Sequence, residues 1–108
     1  MTRAPASVRE ELERRLSTLP ELERRPSRYG DSLSYFVGSR EIAHFHGDER
    51  MDLRLTKEEI RRLKAEHALD HRVRTRGSSA EWAEIHVLTV ADLPYAMSLV
   101  EEAIRANS

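Results

Sequence analysis

The spacing of hydrophobic positions changes several times along the chain, and each change marks an element. Val8, Leu12, Leu16 and Leu19 recur at helical intervals behind Ser7 and Glu10, which have capping-box spacing, so a helix is predicted over about 7–18, ending before Pro20. The next stretch, PELERRPSRYGD over 20–31, holds two prolines, a glycine and several charges. It reads as an irregular connection with room for one short edge strand. From Ser32 to Leu55 short apolar runs are broken by Gly38 and by Gly47-Asp48, the pattern of antiparallel strands joined by turns. Strands are predicted near 32–37, 40–46 and 51–55.

Thr56 and Glu59 repeat the capping-box spacing, and Ile60 and Leu63 stripe a second helix up to about His67. His71 to Thr75 and Glu81 to Leu88 then read as a strand pair around a polar turn from Arg76 to Ala80. Thr89 and Asp92 open a last helix striped by Leu93, Ala96, Met97, Val100, Ala103 and Ile104. The order αβββαββα, with short connections, defines an α+β fold: a mainly antiparallel sheet of about five strands with helices packed on one face.

A chain of 108 residues suits a single domain over 1–108. Composition narrows the chemistry further. Eighteen basic against 19 acidic residues give a near-balanced charge, which supplies no broad field for nucleic acid or anionic lipid, so neither is expected as a partner. The absence of cysteine excludes disulfides, thiolate ligands and a cysteine nucleophile. The charged N-terminus MTRAPASVREELERR lacks the apolar run of a signal peptide, and no long apolar stretch follows, so a cytoplasmic location is expected.

Side chains alternate across a strand, so the 40–46 segment sends Ile42, His44 and His46 to one face and Glu41, Ala43 and Phe45 to the other. A His-x-His pair serves as a base with its partner, as two cis metal ligands, or as plain surface decoration. Asp52, His71, Glu84 and His86 are the candidates for a third group. In the last strand Trp82, Glu84 and His86 share one face, with Ala83, Ile85 and Val87 on the core side. Trp82 there is either a half-buried lid or a wall for a planar ligand. Arg72, Arg74 and Arg76 alternate as a solvated face or a row of anion-binding forks, and His67 suits a helix C-terminus as a favourable charge. Ser78 and Ser79 lack a nucleophile-elbow sequence, and no phosphate loop or dinucleotide glycine pattern occurs.

The segment REIAHFHG, Arg40 to Gly47, resembles the Arg-Glu-Ile-Ala-His-x-His segment of the fungal-luciferase-like domain family. Leu53 and Leu55 match apolar strand positions of that family, His71 its histidine before a polar loop, and Glu81-Trp82 its polar-Trp pair. The resemblance runs over about 39–104. Two positions depart from the fungal pattern: Arg72 stands where a proline follows the histidine, and Glu49 replaces a further histidine. For the fungal enzymes the family implies oxygenation of a hydroxylated styrylpyrone by molecular oxygen, with light emitted and no organic cofactor required. For this chain the resemblance implies a shared site position at His44, His46, His71 and Trp82.

The expected function is therefore a small-molecule site on the open sheet face. In it His44 and His46 are the catalytic candidates and His71, Trp82, Asp52 and Glu84 the binding candidates. If catalytic, the chain is expected to be an oxidoreductase acting with molecular oxygen on a planar enol or phenol, without an organic cofactor. Two alternatives stay open: a divalent metal held by His44 and His46, and a noncatalytic interaction module meeting a protein partner through the same face and the charged connection from Glu21 to Arg28.

Overall fold

A computed structural model describes residues 7–27, 33–77 and 80–108. It holds a helix α1 (Val8–Leu16), strands β1 (Glu23–Pro26), β2 (Leu33–Val37), β3 (Arg40–His46) and β4 (Arg50–Arg54), and a helix α2 (Lys57–Ala65). Strands β5 (Val73–Thr75) and β6 (Trp82–His86) follow, and a 3-10 turn at Val90–Asp92 leads into helix α3 (Leu93–Ala106). The strands form one six-stranded sheet in the order β1-β2-β3-β4-β6-β5, with every neighbouring pair antiparallel. The α+β class holds, with one strand more than the five expected. The additional strand is β1, in the connection that had room for an edge strand, and Pro26 sits at its end, where no ladder donor is needed.

One face of the sheet is closed by the helices. Leu12 and Leu16 of α1, Ile60 and Leu63 of α2, and Leu93, Ala96, Leu99, Val100, Ala103 and Ile104 of α3 join one buried cluster with Ala43, Met51, Leu53, Ala83 and Ile85 of the sheet. Leu99 adds to the expected α3 stripe, while Met97 is only partly buried. Tyr35 is buried under α1 and donates its hydroxyl to Glu13 Oε1 at 3.2 Å; burial and the Glu13 charge push its phenol up to about 12.

Strict alternation fails at one place in β3. Tyr35 faces Ala43 but Phe36 faces Glu41, so β3 carries an extra residue, and Ile42 and Ala43 are both fully buried in the helix-side core. A bulge of this kind lets two successive residues face the same side. It corrects the expectation that Ile42 shares a face with His44 and His46. Beyond the bulge the pairing is regular: His44 faces Asp52, and His46 faces Arg50.

The caps behave as their sequences require. Ser7 Oγ accepts from Glu10 N at 3.1 Å to open α1, and Thr56 Oγ1 accepts from Glu59 N at 3.4 Å to open α2. Asp92 accepts from the backbone N–H groups of Leu88 and Thr89, each at 3.0 Å, at the start of the last helical segment. His67, just beyond the C-cap of α2, adopts the left-handed region, φ 54°, in which helices commonly terminate. Among the described residues no helix is long and apolar enough to cross a membrane.

Candidate functional site

The face of the sheet away from the helices gathers the polar residues of three adjacent strands. A short turn at 47–49 joins β3 to β4, with Gly47 at φ 68°, and fixes the register that sets Asp52 opposite His44. Strand β6 lies between β5 and β4, and its pairing with β4 sets Glu84 opposite Asp52 and Trp82 opposite Arg54. Because directly opposed residues share a face, His44, Asp52 and Glu84 form one cross-strand row.

On that face two imidazoles, His44 of the row and His46 of the next, converge on one carboxylate oxygen. Asp52 Oδ2 lies 3.3 Å from His44 Nε2 and 3.0 Å from His46 Nε2, while Arg50 Nε donates to Asp52 Oδ1 at 3.1 Å. Burial pushes the Asp52 carboxyl up, but the His44 and Arg50 contacts and the His46 charge outweigh it and hold the group below its ordinary value. The two histidines differ in access: the His44 side chain is 18% exposed and that of His46 49%, so His46 is the one a ligand meets first. The His44 ring stands 4.9 Å from the His46 ring and 5.1 Å from Trp82, tilted 49° to the indole.

Beside this cluster is an open depression of about 460 Å³, lined by His46, Asp52, Trp82 and Glu84 together with Arg50, Arg74 and Arg76. Of the six site residues expected from sequence, His44, His46, Asp52, Trp82 and Glu84 are therefore gathered on one face. His71 is elsewhere: it lines a second depression of about 420 Å³ with Arg72, Arg74, His86 and Leu88. His86, weighed as a third ligand, is in that second group. Ser78 and Ser79 lie outside the described residues.

Sequence reasoning missed Arg50, which reaches both Asp52 and, at 3.8 Å, Glu84. Its signal was available, since Arg50 and Asp52 are two apart on a strand. It also passed over Glu41, which is buried, with neither carboxylate oxygen hydrogen-bonded among the described residues.

Donor atoms of His44, His46 and Asp52 lie within 4.8 Å of one another, a set able to hold a metal ion. Fold and site together define a small α+β domain with an open antiparallel sheet face bearing a histidine–carboxylate cluster. The sequence comparison gives the family: the model described as Luciferase domain matches residues 39–103, more than half of the chain, and the chain belongs to that family. Among curated proteins and solved structures no significant match was found.

Proposed function

We propose that the open sheet face binds a planar, acidic enol or phenol and supports its oxygenation by molecular oxygen, with no organic cofactor. The observation that carries this reading is the convergence of His44 and His46 on Asp52 at the edge of a depression walled by Trp82. With Nε2 of His46 on Asp52, Nδ1 is the position left to take the ligand's acidic proton, and Asp52 stabilises the imidazolium that forms. The resulting enolate is electron-rich and adds oxygen at carbon, and the peroxide anion recovers the proton. The sum is RH + O2 giving ROOH, which needs no outside reductant. The indole of Trp82 supplies the flat apolar surface on which such a ligand stacks. Membership in the luciferase-domain family supports the oxygenase class without naming the compound.

The test is a thermal-shift screen of planar phenols and pyrones, followed by oxygen uptake with each compound that binds. The expected result is a hit that stabilises the wild type, consumes oxygen and loses both effects in the His44→Ala, His46→Ala variant. A hit that binds the double variant equally well contradicts the reading.

A second reading is favoured by the spacing of the same donors. Two ligands about 2.1 Å from one ion and at right angles stand about 3 Å apart, and the two Nε2–Oδ2 separations are 3.3 and 3.0 Å. Two histidines and one carboxylate are the donor set of non-haem iron oxygenases. Elemental analysis of untagged protein decides between them: stoichiometric metal lost in Asp52→Asn favours the metal site, and metal-free protein that still consumes oxygen favours the base.

A further inference from the structure

The second depression lies next to the first, and one residue belongs to both: Arg74. Arg74 stands opposite Glu84 across the β5–β6 pair, and His86 follows Glu84 on the same face of β6. The two depressions therefore adjoin, with Arg74 lining both.

The charges around them are unevenly answered. Arg50 pairs with Asp52 and Glu84, Arg76 with Glu84 at 3.5 Å, and Arg72 with Asp70 at 2.6 Å and Asp92 at 3.1 Å. Arg72 is also packed over the Tyr95 ring, 4.1 Å from its centroid. Arg74 alone among the arginines lining either depression has no ion pair among the described residues. The second depression adds His71 and His86, and the buried Nε2 of His86 has no hydrogen-bond partner among the described residues. Its carboxylate, Asp92, is already taken up by two backbone N–H groups and Arg72. Leu88, 58% exposed, supplies an apolar flank.

We infer that this second depression is an anion subsite, and that the ligand of the open face is elongated: a planar aromatic phenol or enol carrying a carboxylate at its far end. The guanidinium of Arg74 takes the carboxylate in a fork, with His71 and His86 beside it. The aromatic half of this inference rests on the proposed function above, whereas the anion subsite is testable without it.

Two measurements separate them. The first is calorimetric titration with hydroxybiphenyl and with the hydroxybiphenyl carboxylate that has its phenol and acid at opposite ends. The acid is expected to bind about tenfold more tightly, a difference of about 1.4 kcal/mol, and Arg74→Met or His86→Leu to erase the gain. Equal affinity for the two compounds, or a gain that survives Arg74→Met, overturns the inference and leaves the proposed function standing. The second is NMR observation of the imidazole signals during addition of benzoate, with benzamide as control. Saturable shifts at His71 and His86 with benzoate, absent with benzamide and in Arg74→Met, uphold the anion subsite even if neither phenol binds. No saturable shift overturns it.

Discussion

Asp52 is held by three nitrogen groups, with Arg50 on one oxygen and the two imidazoles on the other. That arrangement has a consequence for stability, whose sign follows from the carboxyl being more acidic in the folded chain than its ordinary 3.8. A group depressed on folding contributes stability above its unfolded value and loses it as pH falls through the folded one. The stability difference between wild type and Asp52→Asn, measured by urea unfolding, is therefore expected to shrink as pH is lowered from 6 through about 4 and below. A difference that stays constant or grows would show that Asp52 is not held this way. The same residue illustrates what a sequence reading reaches. Asp52 was a candidate among four because a short turn after His46 brings its strand back alongside. Its sharing of one oxygen between two imidazoles depends on rotamers that no pattern encodes.

At the scale of elements, the conformations that close the helices can be tested directly. His67 occupies a left-handed conformation at the end of α2, φ 54°, and is exposed. A residue with a Cβ is strained there while glycine is not. His67→Gly is expected to raise stability by about 0.5–1 kcal/mol in urea unfolding, and a loss would mean the imidazole has a role at that end. Asp92 accepts two backbone N–H groups and pairs with Arg72, so Asp92→Ala should cost about 1–2 kcal/mol. The strands divide by how they are stabilised. Strands β3, β4 and β6 were legible because one face is buried and alternation records it, as with Ala83 and Ile85. Strand β1, Glu-Arg-Arg-Pro, has no apolar alternation to read; its pairing with β2 is backbone pairing at an edge. The bulge in β3 was hidden because Ile42 and Ala43 are both apolar, so the order of faces could not be read from polarity.

For the molecule as a whole, the helices cover one sheet face and leave the other to the site, so the two are mechanically linked through β4. Leu53 of that strand is fully buried against the helices, while its neighbours Asp52 and Arg54 point to the open face. Leu53→Ala is expected to cost about 2–5 kcal/mol, a large part of the roughly 5–15 kcal/mol that holds a small domain folded. The thermal midpoint should fall steeply, and a shift of only a degree or two would place the core elsewhere. Sequence gave the helix side of this architecture through its stripes and the polar side through Trp82, Glu84 and His86. What it did not give was the insertion of β6 between β4 and β5, a non-sequential pairing. That insertion brings Trp82 beside His44 and sends His71 to the neighbouring depression.

A ligand on the open face would lie against Trp82, and the chain carries one tryptophan with which to observe it. The most direct measurement is an NMR titration with hydroxybiphenyl that follows the Trp82 indole N–H and the imidazoles of His44 and His46. Saturable shifts of these signals, absent in the His44→Ala, His46→Ala variant for the indole, are the predicted result. Shifts confined to residues of α1, α2 or α3, with the Trp82 indole unmoved, would contradict a ligand site on the open face.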